Sequence, residues 1–510
     1  MRTERVLFRH ARLAATSASE LVSFIVEGER FAWVGPSQEE PHADRRIDLQ
    51  GRLVTPGFVD AHVHATSTGL ALTGLDLTHA TDAAHLLHVV TEAVHQQPTG
   101  IILGHGWDDS TWATPNLPTR MELDTAAGGR AIYLSRIDVH SALVSSALLE
   151  LAPDAQRCAG FDDVGPLSRE AHHVVREVAL GSIDSDQRSA AQVAFLERAA
   201  ALGIVAVHEM AGPTISSEDD LRSLLHLAHH GVTPQVIGYW GELASAGGLE
   251  RARELGAVGA AGDLFVDGSL GSRTACLHMP YADAPGTTGA SYLTAEQVCD
   301  HVVAATRQGL QAGFHVIGDA ACSIVAEGFG RAAADVGPAA LRAARHRIEH
   351  AEMLSDSDIH VLQEFGVTAS MQPMFDALWG GDVGMYAERL GASRARPMNR
   401  LQSLSHAGVR LALGSDAPVT SLGPWEAIRA AMHHRTPSEA ITFDAALAAH
   451  TRGPWQAVGV DDAGDLRAGE IAHLAIWDST SVEELMLQTA PLSAATMVSG
   501  AMVRDAGVMA

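Results

Sequence analysis

The 510-residue sequence contains no lysine: all 35 of its basic residues are arginine. Any step that needs an amine side chain is thereby excluded. Positive charge is scarce altogether, with 35 basic against 61 acidic residues and a net charge of −26. That balance argues against nucleic acid or an anionic membrane as a partner, since both need clustered cations. Cysteine is nearly missing too. Cys158, Cys276, Cys299 and Cys322 lie far apart without CxxC spacing, so neither a disulfide framework nor a thiolate zinc site is expected. No apolar run reaches the length of a membrane helix, and Val6-Leu7-Phe8 is too short and too soon interrupted by Arg9 and His10 for a signal peptide. There is no repeat or low-complexity tract. A cytoplasmic protein acting on a small molecule is the expectation, with a homodimer compatible.

What the chain has is bulk: at 46% hydrophobic residues it can bury a large core. Both ends read as β-structure. Ser23-Phe24-Ile25-Val26 and Arg30 to Gly35 flank the turn Glu27-Gly28-Glu29 as a hairpin, and Ile471 to Asp478 is a further strand. Residues 1–54 and 455–510 are therefore expected to form one small composite β domain, a β-sandwich. Residues 55–454 alternate strands with helices, the pattern of parallel strands joined by crossovers. After a first strand ending near His64, strands are expected at Ile101–Leu103, Ile204–Val207, Gln235–Tyr239, Leu264–Val266, Ala312–His315, His346–Ile348, Val367–Ser370 and Val409–Leu413. The count is near eight, and the expected fold class is α/β, a (β/α)8 TIM-like barrel. About 100 residues separate the second and third of these strands, too many for a crossover, so residues from about 106 to 188 read as an inserted subdomain.

Chemistry begins at Thr55-Pro56-Gly57-Phe58-Val59-Asp60-Ala61-His62-Val63-His64. On a strand, residues two apart face the same side, so His62 and His64 present two imidazoles together, half of a metal site. Alone this is weak, because histidine often serves as a hydrogen-bonded core group. In a parallel barrel, however, all strand ends converge on one face, and later strands end in His315, His350 and Asp416. The paired histidines His172-His173, His229-His230 and His433-His434 read as solvated side chains instead.

The order His-x-His, His, His, Asp resembles the amidohydrolase superfamily of metal-dependent hydrolases. Asp267-Gly268-Ser269-Leu270-Gly271-Ser272-Arg273-Thr274-Ala275, Arg347-Ile348-Glu349-His350-Ala351-Glu352, Met371-Gln372-Pro373 and Gly414-Ser415-Asp416-Ala417-Pro418 are similar to the branch containing N-substituted formamide deformylases, over nearly the whole chain. The resemblance implies that His62, His64, His315, His350 and Asp416 surround a divalent metal, zinc foremost. It also exposes a departure. The family's bridging ligand is often a carboxylated lysine four residues before the Asp-Gly-Ser stretch, where this chain has Asp263. A carbamate bridge is impossible here, and the shorter Asp263 is not expected to reach the bridging point, with Asp267 and Glu209 as fallback carboxylates. The expected site holds a single ion on His62, His64, His315 and Asp416, with His350 as a further ligand or a partner of the attacking water. A carboxylate-bridged pair of ions is the alternative.

Asp416 is the expected general base and then acid, and His350 the expected donor to the developing oxyanion. Arg273, His140, Trp107 and Trp379 are expected to hold substrate, and Glu349 and Asp319 to orient ligand imidazoles. The implied reaction is hydrolysis of a non-peptide carbon–nitrogen bond, of amide or N-formyl type. Deamination of a ring amidine and a non-catalytic binding barrel are the other readings. The stretch His315-Val316-Ile317-Gly318-Asp319 lacks the glutamate that would favour deamination.

Overall fold

The computed structural model describes residues 4–14, 21–97, 100–109, 112–114, 116–137 and 141–509. They form two compact units, one of Met1–His64 with Leu196–Ala510 and one of Ala65–Phe195. Among the described residues no helix is long and apolar enough to cross a membrane.

The body of the first unit is a nearly closed barrel of eight parallel strands: β1 (Phe58–Val63), β2 (Ile204–Ala211), β3 (Gln235–Trp240), β4 (Gly259–Ala260), β5 (Gln311–Val316), β6 (Arg347–His350), β7 (Thr368–Met371) and β8 (Leu411–Leu413). They pair in chain order. Every residue of β1, β2 and β5 is buried, as strands covered on both faces must be. The ring closes where the chain beyond β8 meets β1: the Asp416 N–H donates to the His62 carbonyl at 2.8 Å and the His64 N–H to Ala417 at 2.9 Å. A Cβ at Gly414 would sit 2.6 Å from the His62 nitrogen, so the approach that closes the barrel requires glycine there. The helix preceding β5, Ala295–Gln308, starts in a capping box between Thr294 and Gln297 and stops at left-handed Gly309.

Both ends of the sequence contribute to a second sheet of the first unit. Strands Arg5–Leu13, Val22–Glu27, Arg30–Pro36, Arg45–Asp48 and Leu53–Pro56 join Leu474–Trp477, Ser493–Val498 and Ala501–Asp505 in one eight-stranded sheet. Leu53–Pro56 runs antiparallel to Leu474–Trp477, which ties the two ends of the sequence together just before β1.

Two of the nine candidate strands are irregular or pair outside the barrel sheet. Ile101–Leu103 does not lead into the barrel. Strand Ile102–Trp107 pairs with Leu75–Asp76 and Ile132–Arg136 in the five-stranded sheet of the second unit, so the insert spans Ala65–Phe195 rather than 106–188. Local pattern announces a strand but does not say which sheet receives it. Leu264–Val266 is likewise not the fourth strand. β4 ends earlier because Gly262 turns the chain at φ +85°, leaving Phe265 with one isolated bridge to His315.

Several histidines are buried as neutral structural groups. His346 Nδ1 accepts from the Ala312 amide at 2.9 Å, and Nε2 lies 2.8 Å from Thr306 Oγ1. Burial, reinforced by nearby His301, lowers its pKa to about 3. The folded value lies below that of the unfolded chain, so between pH 6.5 and 4 the unfolded state binds a proton the fold refuses, and the ring costs stability as pH falls. His346→Gln removes that cost. Its destabilisation at pH 7.5 is expected to shrink by about 3 kcal/mol at pH 4, at ~1.4 kcal/mol per pH unit. Urea-unfolding midpoints across the range measure the gap, and a constant gap would show that the folded ring titrates normally.

Candidate metal centre

The barrel's C-terminal face gathers the side chains that the scattered strand ends suggested. His62 and His64 leave the end of β1, His350 ends β6, and Asp416 follows β8. Among the described residues, His62, His64 and Asp416 offer ligand atoms within 4.8 Å of one another, and so do His62, Asp263 and His350. His350, Ala351 and Asp416 hold left-handed backbone at φ 67°, 51° and 56°. For residues with a Cβ this is a conformation sustained only by surrounding structure, and such residues collect at functional sites.

Asp263 reaches the centre, contrary to the expectation from its length. Its Oδ2 lies 3.2 Å from His64 Nε2, and its Oδ1 lies 3.6 Å from His62 Nε2 and 3.9 Å from His350 Nε2. Gly262, directly before Asp263, turns the chain at φ +85°. Asp416 Oδ1 closes the arrangement at 3.4 Å from His62 Nε2 and 3.2 Å from His64 Nε2. Ligands about 2.1 Å from a tetrahedral ion stand about 3.4 Å apart, close to the 3.2–3.6 Å that separate Asp263 and Asp416 from the His62 and His64 Nε2 atoms, although Asp263 meets the two rings through different oxygens.

Protonation fits as well. His62 Nδ1 donates to Glu349 Oε2 at 3.0 Å, and His350 Nδ1 donates to Gln372 Oε1 at 2.9 Å. Both rings therefore turn Nε2 inward; burial would lower them, but the facing Asp263 and Asp416 carboxylates raise His62 well above and His350 above the ordinary imidazole range, so a cation bound there would displace a proton. His62 Nε2 and Asp263 Oδ1 are buried without a hydrogen-bond partner. Burial alone would raise the carboxyls, but the facing imidazoles hold Asp263 well below the ordinary range and Asp416 below it. Burial would lower His64, yet Asp263 and Asp416 outweigh it and raise the ring to about 9. Glu349, opposed by burial, is held at about 2 by the Arg347 guanidinium and His62. Asp263, Asp416 and Glu349 are buried carboxylates beside a single buried guanidinium, Arg347, a setting that suits a divalent cation, which would displace the protons of the facing imidazoles.

The other expected residues fall as follows. His315 lies beside the centre, its ring centroid 4.5 Å from that of His350 and its Nδ1 3.9 Å from Asp267 Oδ1, but it belongs to neither ligand group. Asp267 accepts the amides of Ile317, Gly318 and Cys276 at 2.8–3.0 Å, so it fastens the turn after β5. Burial pushes it up to about 7. Glu209 is buried on β2 outside both groups. Arg273 pairs with Asp283 at 2.6 Å, which Arg389 also engages, so its guanidinium anchors a loop. Trp107 lies on a strand inside the core of the second unit, its indole N–H donating to Leu134 at 2.8 Å, and is not a loop residue. Trp379 does sit in an aromatic group near the centre: Phe375 stacks on His350 at 5.8 Å and 10°, and Trp379 packs on Phe375 at 4.8 Å. Asp319 accepts the amides of Ala320 and His278 and does not orient a ligand. His140 lies outside the described residues.

The sequence reading passed over three supports. Asp60 Oδ1 accepts both the His62 and Ser415 amides, at 3.2 and 2.9 Å, and so joins β1 to the chain carrying Asp416. Gln372 sets the tautomer of His350, and Arg347 holds Glu349. Only position flags the first two, one two residues before His62 and the other directly after β7.

Comparison with known proteins agrees with this geometry. The chain is 29% identical over 493 residues to Protein LONG AFTER FAR-RED 3 of Arabidopsis thaliana, covering 89% of this chain and 82% of that one. It is 24% identical over 528 residues to N-substituted formamide deformylase of Arthrobacter pascens, covering 95% and 94%. Its fold superposes on an uncharacterized metal-dependent hydrolase of Pyrococcus furiosus with a TM-score of 0.75 at 27% identity, covering 93% and 99%. The model of the amidohydrolase family matches residues 45–504, a span that holds all of His62, His64, Asp263, His350 and Asp416, and the chain belongs to that family.

Proposed function

We propose that this amidohydrolase cleaves an amide or N-formyl carbon–nitrogen bond, with a single zinc ion held by His62, His64, Asp263 and Asp416. The observation that carries the reading is Asp416, a buried carboxylate 3.2–3.4 Å from the Nε2 atoms of both β1 imidazoles. His62, His64, Asp263 and Asp416 would hold a divalent ion that would supply Lewis-acid polarisation of the scissile carbonyl and acidify water near neutral pH. Asp416 accepts the proton of the attacking water and passes it to the leaving nitrogen. Glu349 does not compete for that role. Both Glu349 oxygens are engaged by Arg347 and His62, and arginine does not act as a base. His350 has Nδ1 engaged by Gln372 and Nε2 facing Asp263 at 3.9 Å, so it serves as a ligand or a wall, and oxyanion stabilisation is left to the metal.

Phe375 and Trp379 beside His350 suit an apolar substituent on the substrate nitrogen. Similarity to an N-substituted formamide deformylase supports the same class. The experiment is release of amine or ammonia from N-alkyl and N-aryl formamides, N-acyl amines, ring amidines and dipeptides. Amine release from the formamides or acyl amines is expected. Ammonia from the amidines alone would assign a deaminase instead.

A further inference from the structure

We propose that Arg347 is a positioning residue for the metal centre, gripping His62 both through its backbone and through its ring. The proposal rests on the reading of this face as a metal site, but not on the identity of the substrate.

Barrel interiors are ordinarily filled by layers of branched apolar side chains. Beneath this centre the layer is charged instead. Arg347, on β6, is fully buried, as are Glu349, His208 and Ser370. Its Nε donates to Glu349 Oε1 at 2.5 Å and its Nη2 reaches Glu349 Oε2 at 3.0 Å. That is a two-point grip, which fixes the carboxylate plane as well as its position. The same Oε2 accepts from His62 Nδ1 at 3.0 Å, so the direction of the imidazole follows from the guanidinium fork. Nη2 also donates to the carbonyl of Ala61 at 2.7 Å, the residue directly before His62 on β1. Ring and backbone of one ligand are thus referred to the same planar group.

The fork is itself immobilised. Nη1 meets His208 Nδ1 on β2 at 2.9 Å, Nη2 meets Ser370 Oγ on β7 at 3.1 Å, and the guanidinium lies 4.6 Å from the ring centroid of Tyr239 on β3. Five of the eight strands (β1, β2, β3, β6 and β7) therefore meet at one side chain. A lysine at 347 would keep the charge but supply a point donor in place of the fork. If the residue served only to neutralise Glu349, that change would leave the metal's affinity alone.

The test uses the full-length chain and zinc itself, with affinity read by competition against a chromophoric chelator and fold integrity by urea unfolding. Arg347→Lys is expected to bind zinc at least about tenfold more weakly, within the range seen when groups supporting a ligand are removed. Its kcat is expected to fall with KM little changed. Glu349→Gln should weaken zinc similarly, and the double variant should fall by less than the product of the two single losses, because both act on His62. Zinc affinity of Arg347→Lys within twofold of wild type would overturn the proposal and leave Arg347 a purely structural group. Should the lysine variant not fold, Arg347→Gln is read in the same way. A wild-type chain that binds no zinc would refute the metal site itself, a different failure.

Discussion

Asp416→Asn is expected to leave the fold intact and to lower turnover by about 10²–10⁴-fold, the usual share of a positioned general acid–base group. The amide keeps the shape, and the ring-closing contact at residue 416 runs through its backbone rather than its side chain. It cannot accept a proton. The comparison is made at saturating zinc, so that weaker binding by the amide does not pass for lost chemistry. Wild-type kcat in the folded, zinc-loaded variant would remove Asp416 from the mechanism.

The second large effect belongs to Asp263. Asp263→Ala removes the carboxylate that faces His62, His64 and His350 together. Zinc affinity is expected to fall by at least about a hundredfold, the upper end of what losing a mere supporting group costs. Asp263→Asn should lie between, since it keeps an oxygen but loses the charge. Competition titration with a chelator reads both. Unchanged affinity in the alanine variant would mean that the site is held by His62, His64, Asp416 and His315, as the sequence first suggested.

Much of this centre was legible because barrel topology converts position along the chain into position in space. His62, His64, His350 and Asp416 each stand at or just beyond a strand's C-terminal end, and parallel strands bring those ends to one face. Asp263 was legible as the replacement for the family's lysine and, with Asp267 and Glu209, as a candidate carboxylate ligand, but not as a side chain that reaches the imidazoles. Its approach to His62, His64 and His350 is set by where the backbone runs, and a side-chain length read from sequence carries no information about that. The insert shows the same limit at larger scale. Ile102–Trp107 has the pattern of a strand, but its partners Leu75–Asp76 and Ile132–Arg136 are chosen by tertiary pairing. Trp107 accordingly left the expected substrate wall for a hydrophobic core, while Trp379 remained beside the site. Arg347 was hidden for a related reason. A charged residue on a strand reads as solvent-facing, and only the assembled barrel shows that its fork meets partners from four other strands.

The claim beneath all of these expectations is that His62, His64, Asp263 and Asp416 hold a divalent ion. Elemental analysis of the chain, purified without chelator or added metal, tests it most directly. The account predicts a single first-row divalent ion per wild-type chain, with zinc foremost, and its loss from Asp263→Ala. A folded wild-type chain that carries no such ion, and takes none up from added zinc, would contradict it.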